Sequence, residues 1–211
     1  MDHLTSSEEL FLRYCDENGI DVQRVPAGDE PTPDFLLGIG GVEVACEVKQ
    51  IEPNDVDKQI LEPPEDDARA SGILVPNRFR NKLKNISRQL RRASLQGRPT
   101  LLVIVDITDL KLHAVHRNVI EAMFGEESVR ITRFRDGSTN VSRPYFGGNR
   151  RMTPDHNTSV SVVAVLEEVA RSRLRLRTYH NRFARCPLSP TVFAGLPVER
   201  RLQPDQTKVR L

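Results

Sequence analysis

Apolar and polar positions in the first fifty or so residues change from a helical to a strand-like period. Thr5 or Ser6, followed three residues later by Glu8 or Glu9, predicts a capping box at the start of a helix. Apolar runs bounded by turn residues then predict three strands, over residues 20–25, 34–37 and 42–51. The glycines within 38–41 predict a turn between the last two strands, which would therefore pair as a hairpin.

The pattern beyond residue 77 predicts a long helix, a buried strand and then a mixture of elements. A single helix is predicted over 78–96 because apolar side chains recur there at intervals of four and three, at Phe79, Leu83, Ile86, Leu90 and Ala93. Residues 100–107 are almost wholly apolar, as expected of a central strand buried on both faces. Further elements are predicted as a helix over 115–124 and strands over 128–134, 160–166 and 174–179. Residues 136–157 are predicted to form a polar loop, and the tail from Pro187 to be extended.

Residues 52–76 differ in composition from both neighbours. The segment contains Pro53, Pro63 and Pro64 together with seven acidic residues. Such a segment has few large apolar side chains to bury, and its prolines disfavour regular secondary structure. We therefore predict a mobile acidic loop or lid over 52–76, with room for one short helical turn.

Together these elements predict an α/β fold, with helices flanking a mixed central β-sheet. The chain has 211 residues, which is enough for one well-buried domain and too few to expect three. We therefore predict a single domain over residues 1–211.

The composition is that of an ordinary globular protein, with 38% apolar and 28% charged residues. No apolar run reaches the roughly 18 residues of a membrane span, and the acidic start of the chain does not match a signal peptide. Cys15, Cys46 and Cys186 are widely spaced and odd in number, which fits neither a disulfide framework nor a zinc site. His113 and His116 are more typical of solvated or core histidines than of a metal cluster. We expect no membrane contact and a reducing cytoplasmic location.

The net charge of +2 conceals a segregation of charge along the chain. Residues 1–76 hold 18 acidic and 5 basic side chains, a balance of −13, whereas residues 77–211 hold 11 acidic and 26 basic side chains, a balance of +15. This asymmetry is compatible with an acidic metal site beside a cationic surface for polyanions. It is equally compatible with two halves of one domain that neutralise each other.

Charged side chains on the predicted strand 42–51 share one face. Because side chains alternate along a strand, Glu43, Glu47 and Lys49 lie on one face, and the apolar residues form the opposite, core face, at Val42, Val44, Cys46 and Val48. Asp34 lies across the glycine turn from Glu47, so a hairpin would allow both carboxylates to reach one point. Such oxygen ligands suit Mg²⁺, and Lys49 is placed to orient a water or stabilise a phosphate. The alternative is an edge strand whose charges only face water.

Pro33-Asp34 followed by Glu47-Val48-Lys49, on consecutive predicted strands, resembles the motif of the PD-(D/E)XK nuclease superfamily. The resemblance covers roughly residues 6–107 and implies a restriction-endonuclease-like core there. It further implies that Asp34 and Glu47 bind Mg²⁺ and that Lys49 assists catalysis.

The same resemblance implies further site residues. A glutamate on the first helix often joins the metal site in this family, for which Glu8 is the candidate and Glu9 the fallback. Gln89 loosely matches a glutamine on the helix after the lysine strand. The Val48 carbonyl is an additional candidate metal ligand, and Glu43 a more distant candidate for the site.

The predicted helix over 78–96 carries only basic charged side chains, namely Arg78, Arg80, Lys82, Lys84, Arg88, Arg91 and Arg92. A surface of one sign is what phosphate contacts require, so we predict nucleic-acid binding there. The alternative is an ordinary solvated helix face. Aromatic residues make up 5% of the chain and Trp is absent, which argues against a stacking platform for single strands.

These features predict a nuclease that hydrolyses phosphodiester bonds through a water activated by Mg²⁺, with Mn²⁺ as substitute. DNA is favoured over RNA as the substrate, and a homodimer is one arrangement that the sequence leaves open. The alternative is a non-catalytic module with a nuclease-derived fold that binds nucleic acid or another protein.

Overall fold

A computed structural model describes residues 3–26, 28, 30–61, 76–84, 87–109, 111–169 and 172–200. Five α-helices lie within these ranges: α1 (Ser6–Glu17), α2 (Asp55–Leu61), α3 (Asn77–Lys84), α4 (Ser87–Leu95) and α5 (His116–Phe124). A short 3₁₀-helix spans Pro190–Phe193. No helix among the described residues has the length and apolar content needed to cross a bilayer.

Seven strands form the central sheet, in the order β1-β2-β3-β4-β9-β10-β11. Their bounds are β1 (Asp21–Arg24), β2 (Phe35–Ile39), β3 (Val42–Ile51), β4 (Thr100–Asp106), β9 (Val162–Val169), β10 (Arg173–His180) and β11 (Val198–Arg200). The remaining strands pair as two small ribbons outside this sheet: β5 (Glu127–Ser128) with β8 (Tyr145–Phe146), and β6 (Ile131–Arg133) with β7 (Thr139–Val141).

Strand directions make the central sheet a mixed one. β1, β2 and β3 pair antiparallel in succession, β3, β4 and β9 are parallel, β10 runs antiparallel to β9, and β11 runs parallel to β10. Helices lie on both faces of this sheet, which confirms the predicted α/β fold with a mixed central sheet flanked by helices. The predicted hairpin of β2 and β3 is also confirmed.

Two apolar cores cover the two faces of the sheet. The first contains Val44, Cys46 and Val48 of β3 and packs against α1 through Phe11 and Tyr14. The second contains Ala45 and Ile51 of β3 and the apolar sides of the other helices, Phe79 and Leu83 of α3, Leu90 and Ala93 of α4, and Val119 and Met123 of α5. Because β3 lies between β2 and β4, both of its faces are buried along its centre. The alternative of a solvent-facing edge strand is therefore wrong for this segment.

The first helix begins as the sequence predicted. Thr5 is its N-cap; its hydroxyl accepts a hydrogen bond from the Glu8 backbone N–H at 3.3 Å, and the Glu8 carboxylate accepts one from the Thr5 N–H at 2.6 Å. This reciprocal pair satisfies two backbone donors at the helix end and completes the capping box.

Several predicted boundaries differ from the structure. The helix predicted over 78–96 is described as two helices, α3 and α4, and residues 85–86 lie outside the described residues. The first part of the loop predicted over 52–76 is helical, as α2, and residues 62–75 also lie outside the described residues. The strand predicted over 128–134 is wrong, because that segment contributes to two separate ribbons. Residues 136–157, predicted as a polar loop, contain the return strands β7 and β8 of those ribbons.

Candidate functional site

The β2–β3 register brings Asp34 beside Glu47. Phe35, the first residue of β2, pairs with Cys46, so the residue before Phe35 lies level with the residue after Cys46. The backbone of Asp34 is fixed from its other side, because its carbonyl accepts a hydrogen bond from the Val25 N–H at 2.9 Å. Asp34 and Glu47 are 13 positions apart in the sequence, and the hairpin brings them together.

The Asp34 side chain is held against the backbone of β3. Its carboxylate accepts a hydrogen bond from the Val48 N–H at 2.7 Å. In a strand, the N–H and C=O of one residue point to the same edge, so the Val48 carbonyl faces the edge on which the Asp34 carboxylate lies. The Asp34 carboxylate and the Val48 carbonyl, both candidate metal ligands, therefore lie at the same edge of β3.

Glu47 is a carboxylate enclosed by protein. Its side chain is 0% exposed, and it forms an ion pair with Lys49, whose side chain is 30% exposed. Apart from Lys49 and a weaker contact with the Asp34 N–H, the carboxylate oxygens of Glu47 have no hydrogen-bond partner among the described residues. A buried carboxylate with so few donors is costly to keep charged, so a further positive partner would stabilise it.

The electrostatics of the pair follow from this burial. Burial raises the pKa of Glu47 to about 7, and the nearby Asp34 charge adds to the rise, while Lys49 and more weakly the Asp34 N–H oppose it. Burial also raises the pKa of Asp34, against the opposing effects of the Val48 hydrogen bond and Lys49. Because the charge of Asp34 raises the proton affinity of the buried Glu47, a cation bound beside the two carboxylates would compete with a proton.

The donor set fits a small, hard divalent cation. Mg²⁺ in proteins takes oxygen ligands, commonly one or two carboxylates, and keeps several of its waters. Asp34 and Glu47 could supply the carboxylates and Val48 its carbonyl. The described residues contain no group of three or more His, Cys, Asp or Glu side chains placed to hold a metal ion, so a cation at this position would have two protein carboxylates as ligands.

The other candidate glutamates, Glu8, Glu9 and Glu43, have surroundings different from those of Glu47. The Glu8 carboxylate contacts the Thr5 N–H and hydroxyl, at 2.6 and 2.8 Å, although its charge is close enough to contribute to the raised pKa of Asp34. Glu9 is exposed. Glu43 is exposed and forms an ion pair with Arg98 at 2.8 Å, which places it with the surface rather than with Glu47.

The basic residues predicted to form one surface divide into two groups. Arg80 is 4% exposed and forms an ion pair with Glu126 at 3.2 Å, so its inclusion in an exposed phosphate-binding surface is wrong. Arg78 is also drawn inward, where it contacts Asp57, His113 and the Glu52 carbonyl. The apolar period of the helix could not reveal this, because these arginines pair with residues distant in sequence.

The other predicted cations remain at the surface. Lys84, Arg88 and Arg91 are exposed, Lys82 is half-buried, and Arg92 is exposed and paired with Glu30. Gln89 is half-buried on α4. The basic surface is therefore narrower than predicted and centres on the end of α3 and on α4.

The structure also shows a buried polar cluster that the sequence reading missed. Asp57 of α2 is 3% exposed; its carboxylate contacts the His113 Nε2 at 2.9 Å and forms an ion pair with Arg78. These hydrogen bonds and ion pairs lower the pKa of Asp57 despite its burial. The cluster links α2 to α3 and to the segment before α5. Its carboxylate, Asp57, belongs to the segment that the sequence predicts to be a loop.

Comparisons with known proteins add little to this geometry. No protein-family model matches the chain, and no curated protein sequence matches it. A solved structure described as SfsA from Pyrococcus furiosus in complex with Ca²⁺ is similar over 66% of this chain, with 14% sequence identity and a TM-score of 0.25. The chain spans 61% of the length of that structure. A similarity of this size assigns no family, and the chain is described by its own architecture, a mixed α/β sheet flanked by helices.

Proposed function

We propose that this chain is a metal-dependent nuclease of the PD-(D/E)XK type, which hydrolyses phosphodiester bonds of nucleic acid, with DNA the favoured substrate. The observation that carries the proposal is the enclosed Glu47 carboxylate, beside Asp34 and paired with Lys49, on adjacent strands of a central sheet. A structural role alone would not favour a fully buried carboxylate with a raised pKa, since an apolar residue would pack there at lower cost.

Asp34, Glu47 and the Val48 carbonyl would hold Mg²⁺, or Mn²⁺ in its place, and the ion would lower the pKa of a bound water and offset charge on the phosphate. The protein's own groups position the two carboxylates and supply a positive charge. The Val48 N–H fixes the Asp34 carboxylate, and burial keeps Glu47 away from competing water. Lys49 is partly exposed, so its ammonium can contact Glu47 and also stabilise negative charge that develops on a phosphate oxygen.

The test is a cleavage assay with duplex DNA, single-stranded DNA and RNA, in Mg²⁺ or Mn²⁺ and in chelator. Wild-type protein should cleave at least one substrate only when metal is present. Glu47→Gln and Lys49→Ala should each lower the rate by about a hundredfold or more, as expected when a group that stabilises transition-state charge is removed.

The matched control is Glu43→Gln, which changes the same residue type on the same strand, at a position paired with Arg98. Its cleavage rate should equal that of wild type. If nucleic acid is bound but cleaved under none of these conditions, the chain is a binding module and the proposed activity is wrong.

A further inference from the structure

A second group of cations lines a cleft of about 520 Å³ that does not include Asp34 or Glu47. Its walls come from the end of α3, from α4 and from the segments around residues 151–159 and 185. The charged residues that line it are Lys84, Arg91, Arg151, Asp155 and Arg185, with His156 beside them. Only the α3 and α4 members of this group belong to the basic surface predicted from the sequence.

The cleft has an excess of positive charge that the described part of the chain does not neutralise. Lys84, Arg91 and Arg185 are exposed and Arg151 is half-buried, and none of the four forms an ion pair with a described carboxylate. Neighbouring arginines behave differently, since Arg80 and Arg92 each have a glutamate partner. One carboxylate, Asp155, faces four cations, so the cleft favours an anionic ligand.

Two buried polar atoms in the walls lack hydrogen-bond partners within the described residues. Ser94 is 2% exposed, and its hydroxyl has no hydrogen-bond partner in the part of the chain that the structure describes. The Nε of Arg151 is likewise buried without a partner among those residues. Leaving a buried donor unpaired is costly, and an acceptor-rich ligand in the cleft would satisfy both groups.

The walls are joined by hydrogen bonds, so the cleft is formed before any ligand binds. The Asn157 side chain donates to the Arg151 carbonyl at 2.8 Å, and the Arg185 N–H donates to the Thr158 carbonyl at 2.7 Å. The Cys186 thiol contacts the Ser94 carbonyl at 3.2 Å, which links the 185 segment to α4. A preformed arrangement of donors lowers the entropic cost of binding.

We infer that this cleft binds a phosphate group, carried either by a nucleotide or by the backbone of a nucleic acid. Guanidinium groups match phosphate oxygens with paired hydrogen bonds, and three of the four cations are arginines. A volume of about 520 Å³ suits a small ligand or one segment of a strand. Among the described residues no Phe, Tyr or Trp lines the cleft, so recognition is of the phosphate rather than of a base. The inference does not require cleavage at Asp34 and Glu47.

Isothermal titration in chelator, without divalent metal, tests this site. The probes are pyrophosphate, a nucleoside 5′-monophosphate and a short single-stranded DNA oligonucleotide. Arg91→Ala and Arg185→Ala should each weaken binding by about tenfold or more, because each removes hydrogen bonds to a charged group. Asp155→Asn should tighten binding, because it removes a negative charge that lines the cleft.

Arg150→Ala is the matched control, because Arg150 is exposed, precedes the cleft residue Arg151 in the sequence and does not line the cleft. Its affinity should equal that of wild type. Binding of pyrophosphate or the monophosphate supports a site for a small or terminal phosphate, whereas binding of the oligonucleotide alone supports a backbone contact. Wild-type affinity in Arg91→Ala and Arg185→Ala, or an equal loss in Arg150→Ala, overturns the inference.

Glu47→Gln separates this inference from the proposed nuclease activity. In this background, Arg185→Ala should weaken pyrophosphate binding by the same factor as in wild type, since Glu47 does not line the cleft. A chain that binds phosphate through Arg91 and Arg185 but cleaves no substrate would overturn the nuclease proposal and leave the phosphate site in place.

Discussion

The backbone N–H of Val48 donates a hydrogen bond of 2.7 Å to the side-chain carboxylate of Asp34. A side chain from the residue before β2 thus occupies the place where a backbone carbonyl would continue the β2–β3 ladder. This contact fixes the Asp34 carboxylate at the same level of the sheet as Glu47. This placement brings the Asp34 charge close enough to raise the pKa of Glu47, and that effect can be measured.

Replacing Asp34 with Asn should lower the pKa of Glu47. The amide oxygen can still accept the Val48 hydrogen bond, while the negative charge that contributes to the raised pKa of Glu47 is removed. The pKa of Glu47 should therefore fall below its value of about 7 but stay above 4.5, because burial persists. Carboxyl carbon NMR titration of both proteins in chelator measures this. An unchanged pKa would contradict the proximity of the two acids.

The raised pKa of Glu47 should make the metal-free protein less stable as pH increases. The folded state binds this proton more tightly than the unfolded state, with a pKa of about 7 against an ordinary 4.5. The stability contributed by this group is fully present below about 4.5 and is lost as pH rises through about 7. The full effect is on the order of 3 kcal/mol.

Urea unfolding of wild type and Glu47→Gln, at about pH 5 and about pH 8 in chelator, isolates this effect from other titrating groups. Wild type should lose more stability than the variant between these conditions, and Mg²⁺ at the higher pH should restore stability to wild type alone. Parallel losses in both proteins would show that Glu47 titrates normally.

Removing the Asp57 carboxylate should strongly destabilise the fold. Asp57→Ala would leave Arg78 and the buried His113 without the carboxylate that both contact. Loss of one partner from a buried ion pair costs about 3–5 kcal/mol. Asp55→Ala is the control on the same helix; the Asp55 side chain is 94% exposed, so its loss should cost about 1 kcal/mol or less. Similar free energies of unfolding for the two variants would show that the cluster contributes little.

Short-range patterns in the sequence predicted much of the central sheet. The glycine turn and the alternating apolar positions of 42–51 were enough to place the β2–β3 hairpin and the row containing Glu47 and Lys49. Thr5 and Glu8 were enough to place the start of α1. Each of these features depends on residues close in sequence, whose spacing determines their geometry.

Features that depend on distant partners were not predictable in this way. Arg80 has a helical spacing typical of an exposed cation, yet it is buried because Glu126, far along the chain, neutralises it. The cleft cations Arg151 and Arg185 lie in segments without regular periodicity, and only tertiary contacts bring them to α4. The full burial of Glu47 depends on the same long-range packing, since β4 and the helices cover its strand.

The proposed metal site depends above all on whether Asp34 and Glu47 share one divalent cation. Crystals of the protein grown with Mn²⁺ would locate the ion by anomalous scattering. We expect a single peak about 2.0–2.3 Å from a carboxylate oxygen of each residue, absent from crystals of Glu47→Gln. Saturating Mn²⁺ with no peak between these carboxylates, or with the two side chains too far apart to contact one ion, would contradict it.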